Sequence, residues 1–198
     1  MFLFIKRLFD IFFSFIFLTF SAPIIFIFSF FILVFDKQNP FFIQERSGIN
    51  GKTIKIVKLQ TMKNINEKKN ITKLGKILRV SKIDELPQLI SVIKNDMSLI
   101  GPRPLYKDFN RYYKEKHRSR LLIKPGLTGL AQIKVKDSTD WKKKFNFDSI
   151  YVKKASYSLD LYIIIKTFII IINSIFVKNN RAIETIDYKK NFFENYCK

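Results

Sequence analysis

Arg79-Val-Ser-Lys-Ile-Asp-Glu-Leu-Pro-Gln-Leu-Ile-Ser-Val-Ile-Lys-Asn-Asp-Met-Ser-Leu-Ile-Gly-Pro-Arg-Pro104 is the stretch whose reading decides the fold. Two adjacent carboxylates, Asp84 and Glu85, interrupt a heavily cationic chain. Pro87 places them. A proline is tolerated where its missing N–H would go unpaired anyway, in the first turn of a helix. Asp84 as N-cap puts Pro87 at the third helical position, whereas a helix starting at Ser81 would carry the proline too deep. Leu86, Leu89, Ile90 and Ile93 then recur at helical spacing and predict a buried face. The acidic pair is left at the positive end of that helix, where anions and phosphates are favoured. An acidic N-cap alone is ordinary, so its surroundings must decide.

Downstream, the residues before Pro102 and Pro104 are pushed out of the α region, which predicts an extended, stiffened turn. Arg103, between the two prolines, is held with little backbone freedom and suits a fixed ligand for an anion. Upstream, Pro40 to Met62 reads as strand, turn and strand, with Asn50-Gly51 as a hairpin signal. Thr53 to Leu59 alternate Ile and Val with Lys, predicting one apolar and one basic face. Residues 63–73 are polar and read as a mobile loop, followed by a short basic helix from Leu74 to Val80. Asp108 to Lys124 reads as a basic helix. Lys124 to Lys136 reads as a glycine-punctuated loop running into a strand, and Trp141 to Ala155 as a helix.

The charge is lopsided: 36 Lys and Arg against 16 Asp and Glu give +20 over 198 residues. Such a field attracts nucleic acid, an anionic membrane surface or phosphorylated substrates. The high apolar content, with 22 Phe, points to a membrane and away from nucleic acid. One cysteine, Cys197, excludes an internal disulfide framework and a cysteine metal cluster. The sole histidine, His117, falls in a Lys/Arg-rich run and is expected to face solvent.

Residues 8–35 are apolar with only Asp10 charged, and about 20 such residues suffice to cross a bilayer. Pro23 breaks the run near its middle, and positive charge flanks both ends (Lys6 and Arg7 before, Lys37 after). A helix kinked at Pro23 that enters and leaves on one face satisfies both ends. A spanning helix fits the same residues. A second apolar segment, Leu161 to Val177, contains Lys166 and Asn173 and reads as an interfacial helix, on the membrane or packed on the first segment. Residues 178–198 are a polar tail.

The chain carries no phosphate-binding glycine loop, dinucleotide fingerprint, zinc set or Ser-His-Asp constellation. What remains is Asp84-Glu85 with Lys58, Arg79, Arg103 and Lys136. Carboxylates with fixed cations suit phosphoryl chemistry. Cations neutralise phosphate oxygens, and a carboxylate binds Mg²⁺ or attacks phosphorus.

Ser81-Lys-Ile-Asp-Glu-Leu-Pro-Gln-Leu89, Asp96-Met-Ser-Leu-Ile-Gly-Pro-Arg-Pro104 and Pro125-Gly-Leu-Thr-Gly-Leu-Ala-Gln132 together resemble the bacterial sugar transferases, the small monotopic phosphoglycosyl transferases. The resemblance runs from Lys6-Arg7 to about Thr167. It implies transfer of a sugar 1-phosphate from a UDP-sugar to undecaprenyl phosphate, on the cytoplasmic face of the bacterial inner membrane. It further implies that Asp84 attacks the β-phosphorus, UMP leaves, and a phosphosugar-aspartyl enzyme awaits the lipid. Mg²⁺ is implied as cofactor, with Asp84 and Glu85 as metal ligands. Glu85 is the implied partner acid, and Lys58, Arg79 and Arg103 are the implied phosphate-binding residues. The family's helix break is a Ser-Pro pair, which here reads Ala22-Pro23. Two further departures are Gln60, where a cation is usual, and Lys136, in place of an arginine whose fork a lysine cannot reproduce.

The resulting expectation is a monotopic, mostly helical α+β membrane protein. Residues 1–36 form a re-entrant helix-break-helix, 37–177 a catalytic domain with amphipathic interfacial helices, and 178–198 the tail. The expected partners are a UDP-sugar, undecaprenyl phosphate and anionic membrane lipids, with no nucleic acid. The product would start a surface polysaccharide or a glycoprotein glycan. A catalytically degenerate membrane-bound scaffold of a glycan-assembly pathway is the alternative, and Gln60 and Lys136 leave room for it.

Overall fold

The computed structural model describes residues 2–65, 68–135, 137, 139–176, 192, 194 and 196. The chain opens with a long apolar helix, α1 (Phe2–Phe31), that runs into a π-helical turn over Ile32–Asp36. Pro23 lies inside α1 without ending it, so the break expected at Ala22-Pro23 does not interrupt the helical assignment. Proline withholds one N–H from the ladder. Just ahead of it, Thr19 Oγ1 donates to the Phe15 carbonyl (2.9 Å) and Ser21 Oγ to the Leu18 carbonyl (3.3 Å). Hydroxyl-to-backbone bonds of this kind are a usual accompaniment of proline in apolar helices.

Both ends of α1 dock on the same body. At the first end, Arg7 donates to the carbonyls of Val92 (2.7 Å) and Ile93 (3.0 Å). These close the C-terminus of helix α3 (Leu89–Ile93), where a cation is favoured. Asp10, the lone charge in the apolar run, is buried and accepts from Ser98 Oγ (2.7 Å) and the Leu99 N–H (3.2 Å). At the other end, Ile32 packs with Leu59 and Leu78, flanked by Ile25 and Phe28. Asp36 accepts from Thr72 Oγ1 at 2.9 Å. Between these ends Phe12, Phe15, Phe20 and Phe26 face outward.

Strands β1 (Phe41–Ser47) and β2 (Thr53–Leu59) form the expected antiparallel hairpin. Asn50 and Gly51 both take positive φ, 52° and 74°, as the Asn-Gly signal requires. One detail departs from the expected two faces. Lys58 shares a face with Ile54 and Ile56, and those two isoleucines are buried against Val92 and Met97. Lys58 therefore points inward, away from the basic face.

Residues 63–73, expected as a mobile loop, instead contribute to a second antiparallel pair, β3 (Met62–Ile65) with β4 (Lys68–Ile71). Backbone pairing holds it, and a two-sided polar strand leaves little alternation to read. Helix α2 (Lys73–Ser81) is capped by Thr72, whose hydroxyl accepts from the Gly75 N–H at 2.9 Å. After α3, β5 (Ser98–Ile100) pairs in parallel with β6 (Gly126–Thr128). The two backbones approach so closely that a Cβ at Gly126 would stand 2.0 Å from the Gly101 nitrogen.

The region expected as one basic helix is broken into a 3-10 turn at Lys107–Tyr112, a one-turn α4 (Glu115–Arg118) and a 3-10 turn at Ser119–Leu121. The expected strand after Lys124 is confined to β6, and Leu130–Lys134 is a short helix, α5. Helix α6 (Trp141–Lys154) matches expectation, and α7 (Tyr157–Phe176) carries the second apolar segment. Both α1 and α7 are long and apolar enough to cross a membrane by length and composition. The fold is mostly helical α+β, as expected.

Two expectations fail in the C-terminal half, both through long-range packing. Phe192 and Tyr196, assigned to a polar tail, are buried with Phe109, Tyr113, Trp141 and Phe145. His117, expected in solvent, is buried as well: its ring bonds to the Tyr196 hydroxyl (Nδ1, 2.6 Å) and to Asn146 Oδ1 (Nε2, 3.1 Å). Cys197 lies outside the described residues.

Candidate active site

The local chain path sets the site. Lys82 follows α2 in the left-handed region (φ 61°) and turns the chain out of the helix. Ile83–Gln88 then form a 3-10 turn containing Pro87, and the α-helix begins only at Leu89. Asp84 is thus not the expected N-cap: it sits inside the 3-10 turn, and Lys82 occupies the capping position without a side-chain bond. The buried face of α3 is carried by Leu89 and Val92, while Ile90 is exposed. Spared from capping, the Asp84 carboxylate points into the protein. It is 8 % exposed, and its Oδ1 has no hydrogen-bond partner among the described residues.

Glu85 is held quite differently. Its Oε1 accepts from Lys58 Nζ at 2.8 Å and from Arg103 Nη2 at 2.6 Å. Its Oε2 lies 3.5 Å from Arg103 Nη1. Lys58 arrives from the inward face of β2, Arg103 from the stiffened Pro102–Pro104 turn. Behind Arg103, the buried Arg120 donates to the Arg103 carbonyl (2.7 Å), to Asp148 (3.1 Å) and to the Tyr113 hydroxyl (2.6 Å).

These settings drive the two acids apart in acidity. Burial, then the adjacent Glu85 charge, pushes the Asp84 carboxyl up to about 6. Burial would raise Glu85 too, but the charges of Arg103 and Lys58 outweigh it and hold Glu85 well below the usual carboxylate range. Lys58 is lowered, by burial first, with Glu85 opposing. Adjacent carboxylates with separated acidities are the pattern of an active site.

Of the residues singled out from sequence, Asp84, Glu85, Lys58 and Arg103 are brought together. Arg79 donates through Nε to Thr61 Oγ1 at 2.9 Å. Gln60 donates to the Met62 carbonyl at 2.7 Å. Lys136 lies outside the described residues. Sequence reasoning passed over Lys82, whose charge reaches both acids, and Arg46, whose charge interacts with that of Glu85. Arg120 carries no local signal within its basic run.

Among the described residues no cluster of three or more His, Cys, Asp or Glu could hold a metal. Mg²⁺ needs less than that, since one or two carboxylates plus substrate phosphates suffice. The open Asp84 oxygen fits that donor set.

The described arrangement is an apolar-anchored α+β domain with a buried acid, a charge-neutralised partner acid and fixed cations beside a 3-10 turn. A family model described as bacterial sugar transferase matches residues 1–174, and the chain belongs to that family. It is 40% identical over 172 residues to an uncharacterized sugar transferase, EpsL, of Bacillus subtilis, covering 82% of this chain and 85% of the relative. It is 37% identical over 180 residues to a UDP-glucose:undecaprenyl-phosphate glucose-1-phosphate transferase of Klebsiella pneumoniae, covering 82% of this chain but 39% of the relative. It is also 34% identical over 142 residues to a UDP-N-acetylgalactosamine-undecaprenyl-phosphate N-acetylgalactosaminephosphotransferase of Aeromonas hydrophila, covering 64% of this chain and 34% of the relative.

Proposed function

We propose that the protein transfers a sugar 1-phosphate from a UDP-sugar to undecaprenyl phosphate through a covalent phosphosugar-aspartyl intermediate. The observation that carries this reading is the buried, unpartnered Oδ1 of Asp84 beside the Lys58–Glu85–Arg103 cluster. An unpaired buried carboxylate oxygen opposes folding, and its presence is explained by chemistry performed there. A scaffold without catalysis would gain by losing it.

In the first step an Asp84 oxygen attacks the β-phosphorus of the donor. The bond from that phosphorus to the bridging oxygen breaks, and UMP departs with the oxygen and the electron pair. In the second step a phosphate oxygen of undecaprenyl phosphate attacks the same phosphorus. The aspartyl–phosphorus bond breaks, regenerating the carboxylate and leaving undecaprenyl diphosphosugar. The raised pKa of Asp84 suits a nucleophile that is ionised at neutral pH yet more basic than an ordinary aspartate. Glu85, with its depressed pKa, is a weak base. Its role here is to fix Lys58 and Arg103 where charge accumulates on the transferring phosphoryl group. Mg²⁺, when bound through Asp84 and the donor phosphates, would supply further neutralisation of diphosphate charge.

Membrane placement follows from α1. Both of its ends rest on one catalytic body, which supports a re-entrant helix dipping into one leaflet, with the body on the cytoplasmic face of the bacterial inner membrane. The outward apolar face of α7 supports an interfacial position, and the +20 charge favours anionic lipids.

The test is incubation with a panel of UDP-sugars, Mg²⁺ and undecaprenyl phosphate, with identification of the released nucleotide. UMP is expected. Release of UDP would replace phosphosugar transfer with ordinary glycosyl transfer.

A further inference from the structure

The register of the hairpin puts a second cation on the face that carries Lys58. Phe42 pairs with Lys58, Gln44 with Ile56 and Arg46 with Ile54, so Arg46 and Lys58 project from the same face of the sheet. Ile54 and Ile56 fill the space between them with core. Arg46 is held there by an arrangement with no role in the steps above. Its guanidinium carbon lies 3.7 Å from the centroid of the Tyr106 ring, and it donates through Nη2 to Gln44 Oε1. Gln44 Nε2 in turn donates to the Tyr106 hydroxyl at 3.1 Å, closing a ring of three side chains. Tyr106 stands three residues beyond Arg103. The Ser47 N–H donates to the Leu105 carbonyl (2.8 Å), tying the end of β1 to the segment that carries Arg103.

This guanidinium lies close enough to Glu85 and Arg103 to feel both charges, yet its described partners are neutral. Its Nε is buried and has no acceptor among the described residues. Stacking on an aromatic ring leaves the in-plane N–H fork of arginine available to a planar or tetrahedral oxyanion. A half-buried cation with an unused donor, fixed beside a phosphoryl-transfer site, calls for an anion.

We infer that Arg46, stacked on Tyr106 and oriented by Gln44, binds the α-phosphate of the nucleotide donor, while Lys58 and Arg103 serve the transferring β-phosphate. The inference rests on the donor reading above and deepens it. Arg46 would hold the same phosphate in the departing UMP and stabilise it as the leaving group.

The experiment is titration of the full-length, detergent-solubilised protein with UMP and, separately, with uridine, alongside donor kinetics. Wild type, Arg46→Lys, Arg46→Met and Tyr106→Leu are compared, with thermal melts confirming that each is folded. Arg46→Met is expected to weaken UMP binding about 10- to 100-fold, the equivalent of a lost charged hydrogen bond, and to raise the donor KM by a similar factor. Uridine binding and the KM for undecaprenyl phosphate should stay within about twofold. Arg46→Lys, which keeps the charge without the fork, and Tyr106→Leu, which removes the stack, should fall between. Unchanged UMP affinity in the folded variants would overturn the assignment. So would an equal loss for UMP and uridine, which would mean that Arg46 reads the base. UMP binding that depends on Arg46, in a protein that turns over no donor, would support the phosphate site and sink the proposed reaction. Turnover with Arg46-independent UMP binding would do the reverse.

Discussion

Two charge clusters sit back to back in this protein, joined through the Arg103 carbonyl. In one, Arg120 bonds Asp148, the Tyr113 hydroxyl and the Arg103 carbonyl, and the Arg120 and Asp148 side chains are 3% and 5% exposed. In the other, Glu85 is clamped by Lys58 and Arg103 while its neighbour Asp84 is left with an unpartnered oxygen. The Arg120–Asp148 pair is fully buried, whereas in the second cluster a buried Glu85 meets a half-exposed Arg103; buried ion pairs contribute little net stability but are damaging to break. The difference lies in what is left over. The Arg120 cluster spends its donors on structure. The Glu85 cluster stands beside an Asp84 oxygen that has no partner among the described residues, and the proposed reaction uses that oxygen.

Substitutions can break the comparison. Asp84→Asn should have the largest effect, lowering UMP release by at least about 10³-fold, as loss of a covalent nucleophile does. The same variant should be more stable than wild type. Folding raises the Asp84 pKa from 3.8 to about 6, so the folded state holds the proton more tightly. That contribution to stability is present at low pH and is lost as pH rises from about 4 through about 6. At pH 7.5 the substitution should recover on the order of 2–3 kcal/mol, seen as a higher Tm. Glu85 runs the opposite way. Its depressed pKa adds stability above the ordinary glutamate range, lost as pH falls below it. Glu85→Gln should therefore lower Tm and reduce turnover by about 10²-fold, by releasing Lys58 and Arg103.

The Arg120 cluster should respond in stability first. Asp148→Asn leaves a buried guanidinium uncompensated and should cost about 3–5 kcal/mol of unfolding free energy, measured by denaturant titration. Activity should survive in whatever fraction stays folded, reduced only as far as the Arg103 carbonyl shifts. A subtler test is the pH profile. The kcat/KM for the donor should fall on the acid side with an apparent pKa near 6, a value that belongs to the Asp84–Glu85 pair. The smallest effect is expected at Arg79, which is engaged with Thr61: Arg79→Met should change turnover by less than about 5-fold, against about 10²-fold for Arg103→Met. Equal losses at the two arginines would place Arg79 at the phosphates after all.

What was legible in the sequence followed local physics. Asn50-Gly51 demands positive φ and gave the hairpin, and the run Leu74 to Val80 gave most of α2, though not the Thr72 cap that starts it. The order of motifs around Asp84-Glu85 located the acids. Pro87 misled about geometry, because a proline accepted by the first turn of an α-helix is accepted equally by a 3-10 turn. Other features are tertiary and leave no local trace. Lys58 turns inward only because of the register of β2 against Val92 and Met97. Arg120 looked like one more cation in a basic run, and His117 and Tyr196 find each other across 79 residues. Arg46 was hidden in the same way, since only strand pairing reveals that it shares the face of Lys58.

On the proposed reaction, Asp84 becomes covalently linked to the sugar phosphate of the donor. Intact-protein mass spectrometry after incubation with a turned-over UDP-sugar and Mg²⁺, without undecaprenyl phosphate, tests it directly. The expected result is a mass gain of one sugar phosphate per chain, with stoichiometric UMP release. The adduct should map to the peptide containing Asp84, be discharged by undecaprenyl phosphate and be missing in Asp84→Asn. UMP release that occurs only when the lipid acceptor is present, with no adduct at any time, would contradict the claim and leave direct transfer in its place.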